Sequence, residues 1–300
     1  MLSITEQENP NTAAIDKVST VDALRLINSE DKLVAAAVQK VLPEIAVATD
    51  KIIERLQNGG RLFYIGTGTS GRLGVLDASE VPPTYGVSYE LVQGIIAGGY
   101  DALYKATESS EDNAEAGADD LKARGLSNKD AVVGIAASGR TPYTIGAVEY
   151  SKSTGCFTAC ITCVPDSAIT KEVDVAIVPV VGPEAITGST RMKSGTAQKL
   201  VLNMISTVAM IRLGYVHGNR MTNMKSSNLK LKDRGARILM AETGLNEAEA
   251  GDLLNKADGD LRVALVMFGG ETSRGTAENA LSDAAFVVEA AVAKIKDSGL

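Results

Sequence analysis

The chain contains no tryptophan, one histidine and three cysteines, and only 4% of its 300 residues are aromatic. Each shortage removes a class of chemistry. A histidine base, a Ser-His-Asp triad or a His-rich metal site has only His217 to draw on. Tyr215-Val216-His217-Gly218-Asn219 sets that residue just past a helix end, where a cation complements the helix dipole. Cys156, Cys160 and Cys163 are an odd set, which suits free thiols in a reducing compartment better than a disulfide framework. Their C-x3-C-x2-C spacing runs into an apolar stretch over 157–164 that reads as a strand. Alternate strand side chains point to opposite faces and do not converge on one ion, so no metal is expected.

Basic excess is missing too: 30 Lys and Arg stand against 37 Asp and Glu, a net charge of −7. That leaves no footprint for a nucleic-acid backbone, so an anionic ligand needs local cradling. No uninterrupted apolar run reaches the roughly 18 residues of a membrane span, and the N-terminus has neither a basic segment nor an apolar core of a secretory signal. The expectation is a cytoplasmic protein with no membrane and no nucleic-acid partner.

What is present is a 45% hydrophobic composition, enough for a full core with a small additional domain. Residues 20–58 carry apolar side chains at helical spacing until Asn58-Gly59-Gly60 stops them, which predicts an all-helical N-terminal arm over 1–58. Five short apolar runs follow: 62–65, 91–96, 131–136, 157–164 and 175–180. Most are separated by segments long enough for a helix, so the fold class is α/β, a five-stranded parallel sheet flanked by helices over 59–218. A long apolar-rich helix is expected over 194–213. After Gly218 the polar residues Asn219, Asn223, Ser226, Ser227 and Asn228 read as a connector. Segments 236–244, 247–257 and 259–267 read as short amphipathic helices of a small C-terminal bundle within 219–300, with one last helix over 277–296.

Three turns carry hydroxyls and cations at the carboxyl ends of these runs. The first is Gly66-Thr67-Gly68-Thr69-Ser70-Gly71-Arg72, which leads into a helix and so offers backbone N–H groups at a helix N-terminus. The second, Ser138-Gly139-Arg140-Thr141-Pro142, repeats that construction with proline in the first helical turn. The third, Gly188-Ser189-Thr190-Arg191-Met192-Lys193-Ser194, opens the long helix. Any one of them fits an ordinary cap. Together, beside Arg72, Arg140, Arg191 and Lys193, they point to a phosphate ligand where open α/β sheets bind. The first turn also spells G-x-G-x-x-G, but a dinucleotide site expects an acidic residue at the end of the second strand, whereas Glu90 precedes that strand and Asp101 lies past it.

Carboxylates are left as candidates for acid and base. Glu80 stands just downstream of the first turn and before Val81-Pro82-Pro83, a stiff segment. Glu111 and Asp112 belong to Glu108-Ser109-Ser110-Glu111-Asp112, a cluster of carboxylates after the second strand of the type that serves proton transfer.

On these motifs the sequence resembles the N-acetylmuramic acid 6-phosphate etherases, a family of the sugar isomerase (SIS) fold group. The resemblance runs through Ile4-Thr5-Glu6, Ile27-Asn28-Ser29-Glu30-Asp31-Lys32, Gly66 to Gly74, Asp77 to Gly86, Gly134 to Tyr143, and Gly182-Pro183-Glu184 to Asn203. It implies a carbon–oxygen lyase that eliminates the D-lactyl ether at carbon 3 of a muramic acid phosphate and adds water. It implies Glu80 as the acid for the departing lactate, and Glu111 or Asp112 as the base at carbon 2. Phosphate and substrate contacts are implied for Thr69, Ser70, Gly71, Arg72, Ser138, Gly139, Arg140, Thr141, Ser189, Thr190, Arg191, Lys193 and Ser194. No cofactor is implied; a homodimer is, and the C-terminal bundle resembles a ubiquitin-associated-type bundle. Two other readings share the phosphate turns: an aldose-ketose isomerase, which needs no acid for an ether oxygen, and a non-catalytic sugar-phosphate sensor, which needs neither carboxylate.

Overall fold

The computed structural model describes residues 2–105, 111–221, 229–284 and 286–298. Glu108, Ser109 and Ser110 of the acidic segment, and Asn223, Ser226, Ser227 and Asn228 of the connector, lie outside the described residues. The chain divides into two compact units, one made of Met1–Glu80 and Tyr89–Thr207, the other of Val81–Ser88 and Val208–Leu300.

In the first unit, the helical arm consists of short 3-10 turns followed by two helices, α1 (Thr20–Gln39) and α2 (Leu42–Gln57). Ser19 caps α1 by accepting a hydrogen bond from the Asp22 N–H, and Pro43 falls in the first turn of α2. A proline there needs no N–H partner and starts a new helix rather than continuing the old one. Val34 and Val38 of α1 and Ile45, Ala48, Ile52 and Leu56 of α2 are buried, at the three- and four-residue spacings that put them on one face.

The sheet has five parallel strands: β1 (Leu62–Gly66), β2 (Val92–Ile96), β3 (Ala131–Ile135), β4 (Phe157–Ile161) and β5 (Val175–Ile177), in the order β2-β1-β3-β4-β5. Central strands β1, β3 and β4 are buried along their whole length, which is why they read as unbroken apolar runs rather than alternating ones. The three cysteines are buried and free. Burial pushes the Cys156 thiol up to about 11 and those of Cys160 and Cys163 to about 12. After β1 the chain passes to β2 on one side, whereas β3 lies on the other side of β1. The connections therefore diverge between the carboxyl ends of β1 and β3, the crevice where such sheets bind ligands.

Helices α3 (Gly68–Tyr85), α4 (Ala114–Ala123), α5 (Pro142–Ser153) and α6 (Lys193–Arg212) connect and extend the strands. Helices α4 and α5 meet backbone to backbone. A Cβ added at Gly117 would lie 2.1 Å from the Tyr143 carbonyl oxygen, and one at Gly146 would lie 2.2 Å from that of Ala114. The contact fixes the start of α4, and with it the residues just before.

In the second unit, residues after α6 form a small antiparallel hairpin, β6 (Val216–His217) with β7 (Arg220–Met221), in place of a plain connector. Then come α7 (Leu229–Thr243), α8 (Glu247–Lys256), α9 (Leu261–Gly269), α10 (Arg274–Asp283) and α11 (Val288–Ser298). Asn246 and Glu249 form a reciprocal capping box on α8, and Asp260 caps α9. Their apolar faces share one core that includes Leu239, Leu254, Leu261, Val266, Leu281 and Ile295. The single last helix expected over 277–296 is instead two, with Phe286 in the left-handed region at φ 64° between them. The bend lets Leu281 and Ile295, on separate helices, face the same core.

Substituting Gly117→Ala forces a methyl group onto a carbonyl oxygen at the α4–α5 contact. Overpacking of this kind costs about 1–3 kcal/mol, and a urea unfolding midpoint lowered to match checks it.

Candidate active site

The first turn is itself the start of a helix. Helix α3 begins at Gly68, earlier than the Arg72 start read from sequence, and the Gly71 N–H returns to the Thr67 carbonyl at 2.9 Å. The space is tight: a Cβ on Gly71 would lie 2.6 Å from the Gly66 oxygen. Thr69 is half-buried. Ser70 is buried and donates to the Gln198 side chain of α6 at 2.9 Å. Arg72 turns to the loop after β2, donating to the carbonyls of Leu103 at 2.9 Å and Lys105 at 3.2 Å.

In the second turn Gly139 has φ 65°, and a Cβ there would lie 2.1 Å from the Ser167 hydroxyl oxygen. Only glycine fits both the conformation and the space. Thr141 is the N-cap of α5, yet its side chain makes no capping bond, and Pro142 occupies the first turn. Ser138 and Thr141 are half-buried and Arg140 is exposed. Among the described residues, the hydroxyls of Thr69, Thr141, Ser189 and Thr190 donate no hydrogen bond to the protein.

The third turn departs from the expectation of two free cations. Ser189 and Thr190 are half-buried and Arg191 is exposed, but Lys193 is 1% exposed and its Nζ pairs with Glu30 of α1 at 2.6 Å. The anion seat at the start of α6 is also filled. One Glu184 oxygen accepts the Lys193 N–H at 2.8 Å and the other accepts that of Ser194 at 2.9 Å, an internal carboxylate where the helix dipole favours negative charge. Lys193 and Ser194 therefore serve a buried network rather than an open phosphate seat. Burial opposes ionisation of Glu30, but hydrogen bonds from Lys193, Asn11 and Asn9 and the Lys193 charge hold its carboxyl below the ordinary range.

The three turns converge. A Cβ on Gly195 would lie 3.4 Å from the Thr69 methyl carbon, so the third turn lies against the first. Glu111 joins the first to the second: its Oε1 lies 3.4 Å from where a Cβ on Gly68 would be, and its carbonyl accepts the Tyr143 N–H of α5 at 3.0 Å. This half-buried carboxylate stands over the start of α3, at the β1–β3 divergence. Its neighbour Asp112 is exposed, ahead of Asn113, which caps α4. Glu80 is exposed in the latter half of α3.

Several residues of this region escaped sequence reasoning because no spacing announces them. Asp77, one turn before Glu80, is buried between α3 and α6, accepting from Asn203 at 2.6 Å and Ser206 at 3.2 Å, with the Tyr64 hydroxyl beside it. Burial pushes its pKa up against the opposing pull of those bonds. Glu30, Glu184 and Gln198 likewise lie far in sequence from the turns they hold.

A separate cavity of about 890 Å³ lies within the C-terminal bundle. Asp233, Glu247, Asp258, Asp260 and Glu278 line it against only Arg262 and Arg274, a charge balance unsuited to a phosphate. No described helix is long and apolar enough to cross a membrane.

Comparison with known proteins adds to this geometry. Residues 44–152 match the family model of the glucokinase regulatory protein N-terminal SIS domain, and residues 112–208 that of the SIS domain. The chain is 56% identical over 263 residues to a Clostridium beijerinckii protein named N-acetylmuramic acid 6-phosphate etherase, covering 88% of this chain and 86% of the relative. A protein of the same name from Photorhabdus laumondii is 54% identical, with 88% of each chain covered. Another, from Clostridium botulinum, is 51% identical over 96% of this chain and 95% of its own. Among solved structures, a Bacteroides fragilis protein provisionally named a phosphosugar isomerase involved in capsule formation superposes with a TM-score of 0.50 at 18% identity, over 67% of this chain and 95% of that one. This is a likeness of fold.

Removing one partner of the buried pair, by Glu30→Gln or Lys193→Met, leaves an uncompensated buried group and costs about 3–5 kcal/mol, whereas the double variant recovers most of the loss. Urea unfolding of the three variants checks this. Because the folded-state pKa of Glu30 is depressed, its contribution is complete above the unfolded glutamate value of about 4.3 and disappears as pH falls through the lower folded value. Stability of the parent chain should therefore drop more steeply on acidification than that of Glu30→Gln.

Proposed function

The chain belongs to the N-acetylmuramic acid 6-phosphate etherase family, as relatives 51–56% identical over most of its length establish, and on that premise we propose which of its residues perform each part of the reaction. The enzyme is a carbon–oxygen lyase that releases D-lactate from N-acetylmuramic acid 6-phosphate and leaves N-acetylglucosamine 6-phosphate, a step of cell-wall amino-sugar recycling. The carbon 2 proton is acidic enough for a carboxylate only when carbon 1 is the open-chain aldehyde. Glu111 takes that proton, the carbon 3–oxygen bond breaks, and Glu80 protonates the departing lactyl oxygen. Water then adds at carbon 3 of the unsaturated aldehyde and carbon 2 is reprotonated, so the balance is one water consumed and one lactate released.

The observation that carries this reading is the position of Glu111, over the first helical turn of α3 and bonded through its carbonyl to the start of α5. A base there faces a sugar whose phosphate is held by the adjoining turns. Glu111 is preferred to Asp112 because it is half-buried beside both turns whereas Asp112 is exposed. The groups suited to the phosphate and hydroxyls are Thr69, Thr141, Ser189 and Thr190, together with Ser138, whose oxygen accepts the Arg140 N–H at 3.4 Å and whose hydroxyl proton is left to donate, with Gly71 and Gly139 allowing close backbone approach and Arg140 and Arg191 supplying charge. Ser70, Arg72, Lys193 and Ser194 support this set through their contacts with Gln198, the 103–105 loop, Glu30 and Glu184. The same reading makes the chain a cytoplasmic homodimer, with a sugar-phosphate domain over 59–218 and a ubiquitin-associated-like bundle within 219–300.

Incubation with N-acetylmuramic acid 6-phosphate in heavy-oxygen water should release lactate and place label at carbon 3. Glu80→Gln and Glu111→Gln should each lower lactate release at least about a hundredfold, the scale of a lost acid or base, while still binding sugar phosphate. Full activity in Glu80→Gln would remove that residue from the acid role.

A further inference from the structure

The substrate carries two anionic groups, its phosphate and the carboxylate of the lactyl group, and Arg140 and Arg191 serve the first of them. The lactyl carboxylate projects from carbon 3, next to the carbon 2 that Glu111 deprotonates, so its negative charge settles close to Glu111 and the exposed Asp112. Like charges so placed repel, and a cation is needed to hold the substrate there. The loop after β2 supplies one. Sheet order β2-β1-β3 sets that loop on the flank of the first turn away from the second turn, which follows β3. Gly98 and Gly99, at φ 84° and 67°, lead the chain out of β2 into a short 3-10 turn, Tyr100–Leu103. Arg72 then draws the loop onto α3 by donating to the Leu103 and Lys105 carbonyls at 2.9 and 3.2 Å. Gly68, under the Glu111 carboxylate, and Arg72 share a face of α3, about one turn or 5 Å apart. The backbone of Lys105 and the carboxylate of the proposed base are thus held against adjoining turns of one helix face.

Resting on the reading of Glu111 as base, we propose that Lys105 is a specificity residue that binds the lactyl carboxylate of the substrate. Its side chain is exposed, and its ammonium stands 5.2 Å from the centre of the Tyr104 ring, a contact that steadies a cation without neutralising it. Among the described residues that ammonium has no carboxylate partner and donates no hydrogen bond. Tyr104 is itself held, since its hydroxyl donates to Asp101 at 2.9 Å and its ring meets that of Tyr100 edge-on at 6.4 Å. The Lys105 N–H returns to the Asp101 carbonyl at 3.0 Å. Arg72, on the same flank, is occupied as the clip on the loop. A four-carbon stem lets the Lys105 ammonium follow its anion as the carbon 3–oxygen bond breaks. It offsets the charge of the lactyl carboxylate while negative charge grows on the ether oxygen beside it, so the contact strengthens toward the transition state. The same contact separates substrate from product, which keeps the phosphate and has no lactyl carboxylate.

The test pairs a changed residue with a changed substrate. Lys105→Met should lower kcat/KM for lactate release from N-acetylmuramic acid 6-phosphate about ten- to a hundredfold, the scale of a lost charge-assisted hydrogen bond. Inhibition by N-acetylglucosamine 6-phosphate, which shares the phosphate but lacks the lactyl group, should be unchanged. Converting the lactyl carboxylate to its amide should cost the parent chain a similar factor and cost Lys105→Met little more, because the two changes remove one interaction. Lys105→Arg should retain most of the activity. Parental kcat/KM in Lys105→Met would overturn the proposal. So would an equal loss of affinity for N-acetylglucosamine 6-phosphate, which would assign Lys105 to the phosphate or the fold, and so would losses from the variant and the amide that multiply. Failure of the underlying reading looks different: Glu111→Gln would release lactate at the parental rate, whatever the outcome at Lys105.

Discussion

Much of the site depends on one buried charge. Lys193 is enclosed at the start of α6 with its ammonium on Glu30, and the backbone at the same point is held by the Glu184 carboxylate. Two ion-pairing side chains, at 1% and 6% side-chain exposure, are costly to desolvate and persist only where every remaining donor and acceptor is answered. Here Asn11 answers the other Glu30 oxygen, while Asn9 and Thr12 bind the carbonyls of Pro183 and Ala185. The arm at the start of the chain is thereby sewn to the strap at 183–194. That strap carries Ser189, Thr190 and Arg191 and returns against Thr69 of the first turn. A segment read from sequence as a separate helical arm is thus structural support for the third turn.

The network also sorts three similar turns into two kinds. All follow strands and open helices, and all are rich in hydroxyls and cations. At α6 the positive end of the helix is neutralised by Glu184. At α3 and α5 the helix starts face the β1–β3 divergence, with Glu111 between them. An internal carboxylate occupies one seat, a distinction that depends on where a residue nine or ten positions upstream folds back.

Helix α3 connects the remaining parts. Its first turn lines the crevice at the β1–β3 divergence, its middle is clamped to α6 by Asp77, and its later turns present Glu80 beside Pro82 and Pro83. A rigid helix fixes the distance between its two ends more firmly than any loop could.

The alternation of apolar runs with helix-length segments was enough for the five-stranded parallel sheet, because strands buried on both faces leave a continuous signature in the chain. Glycines at turn positions marked the crevice for a similar reason: Gly139 and Gly71 have no space for a side chain, a local constraint that shows locally. The break at Phe286, the hairpin at 216–221 and the inward turn of Lys193 were not legible, since each is set by packing against residues distant in sequence. Residue type alone made Lys193 a phosphate cation; only its enclosure by Glu30, 163 positions away, decided otherwise. The sequence by itself determined which backbone each segment prefers and which side chains carry charge, because propensity and periodicity act over neighbours. Tertiary structure decided which of those charges remain free for a substrate, because desolvation and pairing depend on what else the fold brings within a few ångströms.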